Sequence, residues 1–325
     1  MPSDLVPILL IAILTLVGLA LLLPGWFALA GTTLRAPWCW AVATLLAVGG
    51  IELLVAVSPA DSLAWVTHLR FAAAVFTFCP VIAQLGAKRP QESPWQLIVL
   101  SLWIVLVLPA GEAWVRGETG PLDLHLVRQW FLWILIVVGL FNNLPTRFGR
   151  AAVLFVVAQV LLFWPFLPGL GWIGFHPHPL AGLVALVVCL LELRFAARRT
   201  LLLPVTQGDS PTILANDPLN RIWREFRDWY GAVWSLRLLE RLNATAEQQD
   251  WCVRFEWEGL HLRPSDPTQA KTATENDTCH AEKFQSDRTA IERVLRNLLW
   301  RFVSDEWIAG RLKCADLQSS DRPAV

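Results

Sequence analysis

Long apolar runs without a single charged residue are the feature that most constrains this chain. One run extends from Leu5 to Leu34, and another extends from Ala151 to Leu191. About 20 apolar residues in a helix are enough to cross the hydrocarbon core of a bilayer. The second run is therefore long enough for two spans, and proline and glycine residues between positions 165 and 179 divide it. Together with a mean hydropathy of +0.47, these runs predict an integral membrane protein.

Seven transmembrane helices are predicted in residues 1–199, followed by a small, mainly helical cytoplasmic domain that contains a short β element. The fold class is thus an all-α polytopic membrane protein with a C-terminal domain. The seven spans are predicted at residues 5–28, 37–57, 63–85, 94–112, 128–144, 151–167 and 178–193. The rest of the chain is predicted as a linker at 200–216, the cytoplasmic domain at 217–315 and a disordered tail at 316–325.

Lysine and arginine residues between the predicted spans indicate how the chain crosses the membrane. If the N-terminus is outside, the outer segments hold two basic residues, Arg116 and Arg128, and the inner segments hold eight. Those eight are Arg35, Lys88, Arg89, Arg147, Arg150, Arg194, Arg198 and Arg199. The positive-inside rule then predicts an outer N-terminus and a cytoplasmic C-terminus. Arginine outnumbers lysine 23 to 4, which suggests a GC-rich bacterial genome, so the predicted location is a bacterial inner membrane.

The C-terminal domain carries signals for specific helices and strands. Asp217 followed by Pro218 is a strong helix start, and this helix is predicted to run to about Asn243. Residues 251–257 alternate apolar and polar side chains, which predicts a strand that ends at a tight turn around Gly259. The remaining elements are predicted as a second strand at 260–262, a loop at 264–286 and a last helix at 287–303.

Tryptophans of the first cytoplasmic helix are candidates for binding a partner. Trp223, Trp229 and Trp234 belong to two neighbouring apolar stripes that cover much of the girth of this helix. One interpretation is that these side chains dock a protein partner in the cytoplasm. The alternative is that they fill the core of the domain, because large apolar side chains usually lie inside.

Two opposite charges are predicted to pair inside the membrane. Glu52 lies nine residues before Asp61 and Arg70 lies nine residues after it, and Asp61 is near the centre of the short connection between the second and third spans. In an antiparallel helical hairpin, such residues lie at equal depth. A lone charge in the membrane is costly, so pairing is favoured. His68 lies on the same outer level and is a candidate third member of this network.

Histidines on the predicted outer side suggest a metal site as an alternative to plain loop structure. His176 and His178, together with His125, offer imidazole groups that suit a metal ion or haem. In the C-terminal domain, Cys252, His261, Cys279 and His280 are residue types that bind zinc, but their spacing matches no zinc motif. The primary prediction is therefore that the chain needs no cofactor.

The function predicted from the sequence is that of a non-enzymatic membrane module. The chain lacks Walker A, HExxH and GxSxG motifs, and it has no basic stripe for a nucleic acid. Its predicted partners are the lipid bilayer and a protein that binds the cytoplasmic domain during sensing, assembly or scaffolding. The first alternative is a transporter or a permease for lipid or haem. The second is a membrane enzyme that uses the outer-side histidines.

Overall fold

The computed structural model describes residues 5–58, 65–117, 122–170, 178, 180–199, 217–263 and 273–320. The chain divides into two compact units, Met1–Leu201 and Leu202–Val325. The helices of the first unit are α1 (Leu5–Ala28), α2 (Arg35–Val57), α3 (Val66–Val75), α4 (Phe78–Leu85), α5 (Glu92–Val115), α6 (Leu126–Asn143), α7 (Gly149–Phe163), extended by a 3₁₀ turn at Trp164–Phe166, and α8 (Leu180–Arg199). The second unit contains α9 (Pro218–Gln248), β1 (Val253–Phe255), β2 (Leu260–Leu262), α10 (Ala273–Leu299) and α11 (Asp305–Ser320).

Seven helical segments in the described part of the first unit are long and apolar enough to cross a membrane, with α3 and α4 counted as one segment. This confirms the predicted number of apolar helices, and their ends lie within a few residues of most predicted boundaries. Many of their large apolar side chains point outward. Examples are Val6, Leu97, Val105, Phe141 and Phe195. Such an apolar surface suits contact with lipid chains, whereas in water it would promote aggregation.

The helices of the first unit approach one another closely where one of them carries a glycine. A side chain at Gly49 of α2 would collide with Thr15 of α1, and one at Gly182 of α8 would collide with Leu162 of α7. Small residues at helix contacts let the backbones come near enough for continuous packing, which is the main source of helix association in lipid. The interior of this unit also contains packed aromatic rings. Phe71 of α3 lies edge-on to Phe166 at a centroid distance of 4.9 Å.

The third predicted span is broken into α3 and α4 at Phe76 and Thr77. Pro80 explains the break, because a proline lacks an N–H group and its ring clashes with the carbonyl four residues earlier, here that of Phe76. The Thr44 hydroxyl of α2 donates a hydrogen bond of 2.8 Å to this carbonyl oxygen. The indole N–H of Trp103 donates a bond of 3.3 Å to the carbonyl of Ala72 in the same way. Neighbouring helices therefore satisfy the backbone groups near the break.

In the second unit, α9 begins where the sequence predicts. The Asp217 carboxylate accepts a hydrogen bond of 2.8 Å from the backbone N–H of Leu219, and Pro218 occupies the first helical position. The helix runs five residues beyond the predicted end at Asn243. It is also interrupted, because Gly231 has φ 77° and ψ −175°, values outside the helical region. Residues 218–248 are therefore two helical segments joined at Gly231.

The strands β1 and β2 pair as an antiparallel hairpin in which Val253 faces Leu262 and Phe255 faces Leu260. The predicted strand at 251–257 is three residues long, whereas the second strand has its predicted bounds. The turn between them uses Gly259, whose φ of 152° favours glycine.

The prediction of a loop over 264–286 was wrong from residue 273 onward, because α10 begins at Ala273. A polar stretch is compatible with a helix that is solvated on most sides, so polarity was a poor argument for a loop. The last helix, α11, continues to Ser320, past the predicted domain boundary at 315. The predicted linker at 200–216 and residues 321–325 of the predicted tail lie outside the described residues.

Candidate functional site

The pair formed by Glu52 and Arg70 is the most specific polar feature of the helical unit. The Arg70 guanidinium donates one hydrogen bond of 2.8 Å from Nε to Oε1 of Glu52 and a second of 2.7 Å from Nη2 to Oε2. Glu52 on α2 is buried, with 7% of its surface exposed, and the side chain of Arg70 on α3 is about one third exposed. The sequence predicted this contact from equal distances to the turn, and the structure places the two groups in a two-pronged arrangement.

This geometry determines what the pair contributes physically. A buried carboxylate loses its hydration, and the planar guanidinium replaces it with two charge-assisted hydrogen bonds. Removing one partner from such a pair leaves an uncompensated charge, which typically costs about 3–5 kcal/mol. The pair therefore holds α2 and α3 in one register. Its chemistry is that of a closed ion pair, since both carboxylate oxygens are occupied by the same cation.

His68 lies on the other side of α3 from this pair. Two residues along a helix correspond to a rotation of about 200°, so His68 and Arg70 point in nearly opposite directions. The side chain of His68 is buried, with 4% exposed, and its Nδ1 has no hydrogen-bond partner among the described residues. Among the described residues, no hydrogen bond joins His68 to Glu52 or Arg70. The predicted network of three side chains therefore contains only the pair of Glu52 and Arg70.

A cluster of side-chain amides was missed by the sequence reasoning. Gln84 of α4 donates a hydrogen bond of 3.2 Å to Asn143 of α6, and its amide oxygen accepts bonds from the amide groups of Asn142 and Asn143. Gln159 of α7 donates a bond of 3.2 Å to the hydroxyl of Thr77. These contacts tie α4 to its neighbours. The signal was present as uncharged amide residues inside predicted spans, where an unpaired amide is costly.

The structure assigns His125 and His178 a capping role at the starts of helices. Nδ1 of His125 accepts a hydrogen bond of 3.4 Å from the backbone N–H of Val127 at the start of α6. Nδ1 of His178 accepts one of 3.3 Å from Leu180 at the start of α8. Neither histidine belongs to a cluster of three or more metal-binding side chains in the described ranges. His176 lies outside those ranges, so the predicted trio of histidines stays a prediction.

Metal-binding side chains do meet at the hairpin of the second unit. Glu256, Glu258 and His261 place their donor atoms within 4.8 Å of one another, and all three side chains are exposed. Nε2 of His261 is 4.0 Å from the Glu256 carboxylate. Exposed acidic groups of this kind are common without a metal. Cys252 does not join it, because its thiol is buried in the domain, where desolvation raises its pKa.

The three tryptophans predicted to dock a partner are in different environments. Trp223 is fully buried, and its indole N–H donates a hydrogen bond of 3.0 Å to the carbonyl of Glu256. The docking prediction was wrong for Trp223, since the side chain is part of the core. Trp229 and Trp234 are half-buried. The ring of Trp234 packs edge-on against Phe302 at 5.0 Å, which also gives it an internal role.

Two other large apolar side chains are exposed among the described residues of the second unit. Trp300 at the end of α10 is 48% exposed, and Leu236 on α9 is 54% exposed. Ile291, Leu295 and Leu299 form the buried stripe of α10. Trp300 is the residue after Leu299, so its side chain lies about 100° away from this stripe around the helix axis. That offset is the sequence signal by which Trp300 was identifiable as an outward-facing residue.

The geometry defines a general class: a protein whose described residues include seven apolar helices long enough to span a membrane, together with a compact C-terminal unit. Comparison with protein-family models, with curated proteins and with solved structures gives no significant match for this chain. Its function is therefore inferred from its own residues.

Proposed function

We propose that this chain is a non-enzymatic membrane module of the bacterial inner membrane that presents a cytoplasmic domain to a protein partner. In this proposal the N-terminus is outside and the seven apolar segments form the membrane anchor. The C-terminal unit takes part in sensing, assembly or scaffolding by binding that partner. The observation that carries the proposal is the exposure of Trp300 on a unit that already has a complete core.

The core of the second unit accounts for several of its other large aromatic residues. Trp223, Trp251 and Trp307 are all buried. The Tyr230 hydroxyl donates a hydrogen bond of 2.7 Å to the carbonyl of Phe302, so even the polar end of this ring is used internally. Trp300 contrasts with these residues because nearly half of its surface faces outward. Tryptophan is enriched among the residues that dominate binding energy at protein interfaces, which supports a docking role.

The first unit supports a role as an anchor. One charge inside its described apolar segments, that of Arg70, is neutralised by pairing with Glu52. The Arg35 guanidinium at the start of α2 lies 4.6 Å from the ring centroid of Trp26 near the end of α1. A tryptophan and an arginine in contact at the end of an apolar helix are typical of the interface between lipid and water.

The experiment that tests the docking proposal places a photocrosslinking amino acid at position 300 of the full chain in its native cells. Position 247 is the matched control, because Glu247 is also exposed but is polar. We expect a defined protein adduct from position 300 and none from position 247. Replacement of Trp300 by alanine should abolish a crosslink introduced at position 236 while leaving thermal unfolding unchanged. The absence of an adduct at position 300, or equal adducts at 300 and 247, would contradict the proposal.

A further inference from the structure

A groove runs between α1 and α8 on the surface of the helical unit. Its volume is about 350 Å³. The α1 side is formed by apolar side chains that include Val17 and Leu21, and the α8 side combines Leu191 and Phe195 with two arginines, Arg194 and Arg198. A groove with apolar walls and two cations at one end suits a molecule that has an apolar part and an anionic part.

The two arginines act on the same side of α8. They are four residues apart, and side chains at this spacing are neighbours on a helix surface. Neither forms an ion pair with a carboxylate among the residues that the structure describes, Glu192 of the same helix included. Two neighbouring guanidinium groups without an acidic partner repel each other, and an anion between them removes that repulsion. Guanidinium groups are well matched to phosphate oxygens, to which they donate paired hydrogen bonds.

The polar and apolar parts of the groove follow one another along the helix axis in the same order as the headgroup and acyl chains of a phospholipid. Arg198 is one residue from the end of α8, and Arg194 lies one turn further in. Leu191 and Val17 line the groove deeper in the apolar segment. A phosphate therefore fits at the arginine end, and an acyl chain fits along the apolar end toward the membrane centre. In the orientation of the proposed function, the arginine end faces the cytoplasm, where anionic headgroups attract basic residues.

We propose that this groove binds an acidic glycerophospholipid, with the phosphate held by Arg194 and Arg198 and one acyl chain lying against Leu21 and Phe195. A site for free phosphate would gain nothing from apolar walls. A lipid gains binding free energy from them, because its acyl chain leaves water when it lies against the walls. The assignment to the inner leaflet rests on the proposed function. The binding itself does not depend on orientation or on any protein partner.

The test uses the full chain, purified in mild detergent, with phosphatidylglycerol as the acidic probe and phosphatidylethanolamine as the zwitterionic one. Native mass spectrometry counts the lipid that is retained, and thermal unfolding measures its effect. We expect retention of phosphatidylglycerol and a rise in unfolding temperature with that lipid only. The double variant Arg194→Gln with Arg198→Gln should bind it about 10- to 30-fold more weakly, the loss expected for two basic contacts.

Two controls keep this test decisive. The double variant Arg116→Gln with Arg128→Gln removes the same charge at positions outside the groove and should leave binding unchanged. Leu21→Trp fills the apolar end while retaining both arginines, and it should also lose the lipid. Equal binding of both lipids, an equal loss in the control variant, or displacement by glycerol phosphate as effective as by the lipid would overturn the proposal. Any of these results leaves the docking function standing, since that function is measured separately at position 300.

Discussion

The guanidinium of Arg70 on α3 donates two hydrogen bonds, of 2.7 and 2.8 Å, to the carboxylate of Glu52 on α2. The two residues are eighteen positions apart in the chain and flank the connection between the two helices symmetrically. Because an antiparallel hairpin brings such positions to one level, a single contact fixes the register of both helices. In an apolar surrounding, this contact replaces the hydration that both charges lose.

Charge reversal tests this relationship. Glu52→Arg or Arg70→Glu alone should sharply lower accumulation of the protein in membranes, because each change places two like charges together in an apolar surrounding, where one lone charge already costs up to about 2.5–3.5 kcal/mol. The double swap should restore much of the accumulation. Quantitative immunoblotting of membrane fractions measures both effects.

The pair between Glu112 and Arg116 is the matched control for charge reversal. It has an N–O distance of 3.5 Å, and both side chains are largely exposed. Exposed pairs contribute little, about 0–1 kcal/mol, so the same swaps there should leave accumulation nearly unchanged. Wild-type accumulation of both single variants at Glu52 and Arg70 would show that their pairing has no structural role.

The orientation is tested by reporter fusions. Fusions after Arg35, Gly86, Arg147 and Arg199 should report the cytoplasm, and fusions after Ala60, Gly120 and Pro177 should report the outside. The reason is the distribution of eight basic residues against two between alternate loops. An outside signal after Arg199 would contradict the predicted orientation.

The second unit should fold without the helical unit. It has its own buried core, which includes Ile222, Phe255 and Leu295 and in which Phe226 packs edge-on against Phe302. A fragment of residues 210–320 should therefore be soluble and give the circular dichroism spectrum of a mainly helical protein. Phe226→Asp should abolish the cooperative thermal unfolding of this fragment. A random-coil spectrum of the unmodified fragment would count against independent folding.

Gly231 should be intolerant of substitution. Its φ of 77° and ψ of −175° lie in a region that is almost exclusive to glycine, where other residues cost about 1–3 kcal/mol. Gly231→Ala should therefore lower the free energy of unfolding by that amount. Gly310 of α11 is the control, because a Cβ there meets nothing within 4 Å. Gly310→Ala should instead stabilise the helix by roughly 0.5–1 kcal/mol. Equal effects of the two changes in denaturant titrations would refute the special role of Gly231.

Asp217 should influence stability in a pH-dependent way. Burial raises the pKa of its carboxyl group, and the Leu219 N–H and the Arg288 charge oppose this only in part. A raised folded-state pKa means that the stabilising contribution is present below the unfolded value of about 3.9 and is lost as the pH rises through the folded value. Wild type should therefore gain stability relative to Asp217→Asn on acidification from pH 7.

Two substitutions at position 217 separate charge from capping. Asparagine also caps helices, so Asp217→Asn should be at least as stable as wild type at pH 7. Asp217→Ala removes the hydrogen bond to Leu219 and should be about 1 kcal/mol less stable than Asp217→Asn at any pH, because neither variant titrates at this position. Thermal unfolding of the full chain in detergent between pH 4 and 7 measures these differences. A pH-independent gap between wild type and Asp217→Asn would contradict the expected titration.

The amino-acid sequence by itself determined the features that depend on local pattern. Apolar runs specify seven helices because their length must match a bilayer, and the switch to a two-residue period specifies the hairpin at 253–262. The common level of Glu52 and Arg70 also follows from counting residues along two helices. Each of these properties depends on chain geometry that is the same in any surrounding.

Tertiary structure alone decided which side of each element is covered. Periodicity shows that Trp223 belongs to an apolar stripe, but only tertiary packing, including that of Phe255 against its ring, makes it core, while Trp300 remains exposed. In the same way, the meeting of Gln84 with Asn143 required knowledge that α4 and α6 are neighbours. Contacts between distant segments depend on helix rotation and adjacency, which are set by the sum of many weak packing interactions and have no local signature in the sequence.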